Sequence, residues 1–251
     1  MSSSVTAHKK ELEELLAAAC HFEHRTSKWN PKMRQYIYSK RAGIHIFDLS
    51  KTYACLTKAL DFLRTSAAEG KMILLVSTKL HAAKLVSEAA SHISCPYVTQ
   101  KWMPGLLTNF DTIRKRIKYF KDLKLAQTTG EWDKYTKKER LELTRTLAKL
   151  ENAFSGVEHM NKLPDIVVVF DSVRDVLALR EAKRLGLKSV GVCDSNADPD
   201  MLTFPIPGND DAVRSLKYFV EKVAEAITIG KKDAESAVTA AKPEQVLAPK
   251  V

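Results

Sequence analysis

The stretch CDSNADPD, Cys193 to Asp200, sets oxygen-bearing side chains at alternate positions: Asp194, Asn196, Asp198 and Asp200. A calcium loop of the EF-hand type begins this way, with ligands at its first, third and fifth positions. Counted from Asp194, such a loop needs glycine sixth and glutamate twelfth. The sequence has Pro199 and Pro205 there, so the EF-hand reading fails. The stretch instead follows SVGVC, an apolar run of strand type, and open parallel sheets bind ligands beyond the carboxyl ends of their strands. Asp210 and Asp211 fall at the start of the next helical segment, on the same edge, where a helix N-terminus partly offsets their charge. Three carboxylates this close repel one another, and a cation relieves them. A lysine can supply it, or a divalent ion, with an imidazole available from His21 or His24 in HFEH.

Catalytic constellations are otherwise absent from the sequence. It holds no GxSxG and no HExxH, and only Cys20-His21 brings a cysteine beside a histidine. VSTK, 76–79, is a strand-to-helix turn ending in Lys79, a place where a phosphate can bind. A Walker loop needs GxxxxGK[ST], yet no glycine occurs between 71 and 104, and no GxGxxG follows any strand. Asp171 and Asp194 each follow a buried strand. They leave one enzymatic alternative, a metal-dependent α/β enzyme using strand-end aspartates. Such aspartates more often cap loops.

The stronger signal is cationic. Lys and Arg number 40 against 30 acids, a formal charge of +10, which points to a polyanionic partner, nucleic acid before membrane. The segment 24–41 carries Arg25, Lys28, Lys32, Arg34, Lys40 and Arg41 without an acid, interleaved with Trp29, Tyr36 and Tyr38. Cations that reach phosphates, beside rings that stack on bases, suit RNA. No apolar run approaches the ~20 residues that span a membrane. The four cysteines are widely spaced without CxxC, and the N-terminus lacks the pattern of a signal peptide, so a reduced, cytoplasmic protein is expected.

The elements that position these residues alternate. Helical segments at 8–19, 50–70, 79–93, 173–185 and 211–229 separate apolar runs of strand type: GIHIFDL, MILLV, Tyr97–Val98, IVVVF and SVGVC. Continuous apolar strands alternating with helices give a parallel sheet with right-handed crossovers. The expected fold is α/β: a flavodoxin-like sheet of five strands flanked by helices, with PIPGND read as a turn. Two seams interrupt it. Leu106, Phe110, Ile113, Ile117 and Phe120 step four-three-four-three, as do Leu143, Leu147, Leu150, Phe154 and Val157. Joined across Gly130 and a capping Thr136, they predict an inserted antiparallel α-helical hairpin (coiled coil) over 108–157. The α/β domain then comprises 1–107 and 158–229, and 230–251 reads as a disordered tail. The hairpin's outer face carries Arg114, Lys115, Arg116, Lys118, Lys121, Lys124, Lys134, Lys137 and Lys138. At its root, KWMPGLLTNFDTIRKR holds a Pro104-Gly105 turn and a capping Thr108 or Asn109, a junction suited to RNA contact.

In order along the chain, HFEHRTSKWNPKM, RAGIHIFDLSKT, VSTK, KWMPGLLTNFDTI, TKKE, KLPDIVVVFD, CDSNADPD and IPGNDDA resemble the small-subunit ribosomal protein S2 family, in its bacterial or organellar branch. Two positions depart from the family pattern. Glu23 stands where glycine is usual, and Pro104 replaces the first glycine of the WxGG turn. The resemblance implies a non-enzymatic constituent of the small subunit. It would bind rRNA where head meets body, contact neighbouring small-subunit proteins and help dock ribosomal protein S1. No membrane, small-molecule substrate or organic cofactor is expected. RNA contact carries over to Arg25, Lys28, Trp29, Asn30, Lys32, Arg34, Lys101, Trp102, Thr108, Asn109 and the basic hairpin residues, and Lys40, Arg41 and Lys79 join them from their charge and placement. The resemblance also implies that His24, Asp194, Asp210 and Asp211 share one structural divalent ion, zinc first and magnesium next.

Overall fold

The computed structural model describes residues 2–25, 29–41 and 43–240, with side chains described for 9–21, 29–41 and 43–236. After helix α1 (Ser2–Ala17) come strands β1 (Phe22–Arg25), β2 (Ile37–Arg41) and β3 (Ile44–Phe47). Then follow α2 (Leu49–Ala68), β4 (Ile73–Val76), α3 (Leu80–His92) and β5 (Tyr97–Val98). Helices α4 (Phe110–Thr128) and α5 (Lys137–Phe154) precede β6 (Ile166–Val169), α6 (Val176–Arg184), β7 (Lys188–Cys193), β8 (Phe204–Pro207) and α7 (Val213–Ala240).

The main sheet is parallel, in the order β5-β4-β6-β7-β8. Numbered along the sheet's own strands, that is the flavodoxin-like order 2-1-3-4-5. Every residue of β4 and β6 is buried, as apolar runs covered on both faces require. The two-residue period divides them. Leu74, Val76, Val167 and Val169 face one core with α6 and the α4–α5 pair. Ile73, Leu75, Ile166 and Val168 face a second core with α2, α3 and α7.

Membership of the sheet differs from expectation at both ends. GIHIF lies outside it: β3 is the centre of a separate antiparallel sheet, β1-β3-β2. The fifth parallel strand is instead PIP of PIPGND, which pairs beside β7 with Gly191 opposite Pro205. Two prolines argue against a central strand but are tolerated at a sheet edge, where a missing N–H breaks no ladder.

Helices α4 and α5 follow one another and pack together. Ile113, Ile117, Phe120, Leu147, Phe154 and Val157 of the two seams are buried in one cluster, with Phe110, Leu143 and Leu150 against it. Between the helices, Gly130 adopts φ +77°, and Trp132 packs into the same core. Thr136 and Glu139 build a reciprocal capping box that starts α5.

The tail expected from residue 230 is helical as far as Ala240, and residues 241–251 lie outside those described. A glycine after a periodic run reads as a helix stop, but Gly230 is a close-packing position. A Cβ there would lie 2.2 Å from the Arg64 carbonyl oxygen of α2. The extension is fastened by Asp233, which accepts from Arg64 at 2.8 and 2.9 Å, and by Lys231, which donates to the Ile93 carbonyl at 2.5 Å. Gly230→Ala therefore tests packing against propensity. Propensity alone predicts a gain of about 1 kcal/mol. The overlap with α2 predicts a net loss on the order of 1–3 kcal/mol, measured as a lower midpoint in thermal unfolding.

Candidate nucleic-acid interface and the carboxylate crevice beside it

The carboxyl ends of the parallel strands converge on one charged cluster. Asp171 follows β6, Asp194 follows β7, Asp210 and Asp211 follow β8, and Lys79 follows β4. The Lys79 ammonium lies 3.4 Å from an Asp171 oxygen, 2.9 Å from Asp210 Oδ1 and 2.5 Å from Asp211 Oδ1. It also donates to the Asp210 carbonyl at 2.6 Å. Asp171, Asp194 and Asp210 are buried and Asp211 is exposed. Burial, then repulsion from Asp171 and Asp194, pushes the Asp210 carboxyl up to about 7 against the pull of Lys79. Burial lowers Lys79, but its bond to Asp211 and the charges of Asp210 and Asp171 more than reverse this, so it stays an ammonium.

The lysine thus supplies the cation that the sequence left open. Lys79 is correspondingly not a free phosphate ligand: its charge is committed inside the chain, which corrects its expected role in RNA binding. Oxygens of Asp194, Asp210 and Asp211 still lie within 4.8 Å of one another. The His24 side chain lies outside the described residues.

The CDSNADPD loop beside this crevice anchors the N-terminal basic segment. The Asn30 N–H donates to the Ser195 carbonyl at 2.7 Å, and the Asn30 side chain accepts from the Lys32 N–H at 3.0 Å. Lys32 Nζ reaches both Asp198 oxygens at 3.0 Å and Asp200 at 2.7 Å. From the other side, Lys183 donates to the Asp200 carbonyl at 3.1 Å. Asp198 also caps the turn at 199–201, its side chain accepting from the Asp200 N–H. Asn30 and Lys32 therefore hold two loops together, with the Lys32 side chain still half-exposed. Arg34, Lys40 and Arg41 are exposed, Tyr38 is 77% exposed, and Trp29 is half-buried with its ring 5.2 Å from that of His45. The Arg25 side chain and Lys28 lie outside the described residues.

At the hairpin root two expected RNA contacts are structural. Trp102 is only 5% exposed and its Nε1–H donates to Glu181 at 2.9 Å, so its ring faces cannot stack on a base. Thr108 gives both its N–H and its hydroxyl to the same carboxylate. Lys101, Asn109, Arg114, Lys115 and Lys118 are exposed. Arg114, Lys115, Lys118 and Lys121 line a shallow groove of about 370 Å³ against Met160 and Asn161. Tyr119, 50% exposed on the same helix, adds a ring that sequence reasoning overlooked. Glu181 was also overlooked: it sits alone on α6, and nothing local marks it.

Fold and surface together describe a basic ligand-binding scaffold whose usual sheet-edge crevice is filled by its own lysine. Comparison with known proteins narrows that class. The family model of ribosomal protein S2 matches residues 15–230. The small ribosomal subunit protein uS2c of Cyanophora paradoxa is 44% identical over 219 residues, covering 87% of this chain and 94% of its own. The uS2 protein of Coprothermobacter proteolyticus is 44% identical over 228 residues, covering 91% and 85%. The uS2c protein of Rhodomonas salina is 45% identical over 219 residues, covering 87% and 90%. The chain belongs to the ribosomal protein S2 family, with both bacterial and plastid relatives. That family is one of ribosomal proteins and not of enzymes. No helix among the described residues is long and apolar enough to cross a membrane.

Lys79→Met should leave the buried carboxylates uncompensated and destabilise the fold by about 3–5 kcal/mol. Asp210 gives the loss a pH dependence. Its folded pKa is raised, so the folded state holds the extra proton as pH falls through about 7 and gains stability. The deficit of the variant should therefore be larger at pH 8 than at pH 5.5, as read by urea unfolding at both.

Proposed function

We propose that this chain is a structural constituent of the small ribosomal subunit that binds rRNA with two basic surfaces, the 24–41 segment and the hairpin. The observation that carries this is the charge of exposed Arg114, Lys115 and Lys118 and half-buried Lys121 around one groove, with Arg34, Lys40 and Arg41 exposed on the other surface. Among the described residues, the ion pairs on the hairpin use Lys124 and Arg140 and leave that groove cationic. Following the family resemblance, the RNA is that of the head–body junction, and the protein helps dock ribosomal protein S1. A groove of about 400 Å³ lined by Leu12, Leu16, Tyr38 and Leu49, with Leu16 55% exposed, is suited to a protein partner of that kind.

Affinity for small-subunit rRNA should fall with salt by about 0.7–0.9 log units per log unit for each phosphate neutralised. Replacing Arg114, Lys115 and Lys118 by Glu should reduce affinity and flatten that slope without changing the unfolding midpoint, because these side chains lie off the buried seam. An rRNA affinity independent of salt would refute the reading. In reconstituted subunits, S1 retained equally with and without this chain would refute the docking role.

The metal reading rests on the same crevice. Asp194, Asp210 and Asp211, with oxygens within 4.8 Å, bring more negative charge than the single Lys79 ammonium offsets. They would hold a divalent ion, zinc or magnesium, with His24 as a nitrogen ligand. Such an ion would tie β1 to the sheet edge structurally. Elemental analysis of the purified chain should find about one equivalent of ion, lost on joint Asp210→Asn and Asp211→Asn substitution. Equal metal content in both proteins would reject the site.

A further inference from the structure

Glu181 gathers an unusual number of donors. Its Oε1 accepts from Trp102 Nε1 at 2.9 Å and the Gly105 N–H at 2.8 Å. Its Oε2 accepts from the Leu107 N–H at 3.0 Å, the Thr108 N–H at 3.1 Å and the Thr108 hydroxyl at 3.2 Å. All five come from the segment that leads from β5 into α4, more than seventy residues away in sequence. The segment has no regular structure to fix it. The two remaining N–H groups of the turn are used internally, from Leu106 to the Met103 carbonyl and from Asn109 to the Gly105 carbonyl. At the N-terminus of α4, the Asn109 side chain makes no capping bond. The direction in which the chain enters α4 is therefore set from outside, by a carboxylate on α6. Burial opposes ionisation of Glu181, but the bonds from Trp102, Gly105, Thr108 and Leu107 prevail and hold its carboxyl below the usual range.

Helix α6 has a second attachment. Lys183, two residues on, donates to the Asp200 carbonyl, and Asp200 pairs with Lys32 of the N-terminal basic segment. One short helix thus contacts the root of the arm and the loop that anchors the other basic surface. Linked surfaces bind one partner tightly only when their geometry lets both engage at once.

We propose that Glu181 is a positioning residue: it fixes the orientation of the α4–α5 arm relative to the sheet so that the two basic surfaces meet a single RNA together. This rests on the RNA-binding reading above. It gives a carboxylate on α6 a role in RNA affinity without any contact to RNA.

The test is Glu181→Gln in the full chain, with Glu181→Asp as a milder variant. The glutamine amide turns an NH₂ toward the donors on one side, and the aspartate is too short to reach both the two donors at Oε1 and the three at Oε2. The first readout is the distance between spin labels on Cys55 and on a cysteine introduced by Lys138→Cys. A single narrow distance in the parent should broaden in E181Q while circular dichroism stays that of a folded protein. A distribution as narrow as the parent's in both variants would overturn the proposal, whether or not the chain binds RNA. The second readout is a cycle with the Arg114, Lys115 and Lys118 to Glu variant. E181Q should weaken rRNA binding roughly ten-fold or more in the parent, out of the ~10²–10⁴ that linked engagement adds, and hardly at all once the arm's charges are reversed. An equal loss in both backgrounds would mean general destabilisation and would also overturn it.

Discussion

A single, largely enclosed ammonium organises the carboxyl edge of the sheet. Lys79 follows β4, and its partners Asp171, Asp210 and Asp211 follow β6 and β8, so one cation ties together the ends of strands that the topology brings side by side. Asp171 and Asp210 are buried, and removing their cation would leave them uncompensated. Other features follow from it. The loop after β7 packs beside the cluster with Asp194 fully buried, and that loop in turn holds Asn30 and Lys32. The N-terminal basic segment is thereby fastened to the main sheet, although it belongs to a different, antiparallel one.

In open parallel sheets the crevice beyond the strand ends is where ligands bind. This chain fills it with its own lysine and with a loop turned by Asp198. The exposed cations lie outside it, on 34–41 and on the arm. Pro104 fits this arrangement without cost: in the turn read by Glu181, every N–H from Gly105 to Asn109 has an acceptor, and position 104 is where the missing donor of proline breaks no bond.

Legibility in the sequence followed the range of the forces involved. Buried strands, the hairpin seams, the Thr136 cap and the glycine turns at 70, 105 and 130 depend on neighbours a few residues apart, and each lies where the pattern places it. The errors came where a distant partner decides. Gly230 reads as a helix end until α2 is seen against it. PIP reads as a turn until β7 offers it an edge. Trp102 gives no sign in the sequence of its distant partner, Glu181, which takes its N–H while the core takes its rings.

The sequence by itself determined the class of fold, the excess of cations on two segments and the family to which their motifs belong. These depend on composition, periodicity and collinear order. Only the tertiary structure decided which of the charges are available. Lys32 and Lys79 carry the same formal charge as Arg34 and Lys118, but they are paired with aspartates more than a hundred residues away. Charge is a property of the residue. Its availability depends on what the fold places within hydrogen-bonding reach.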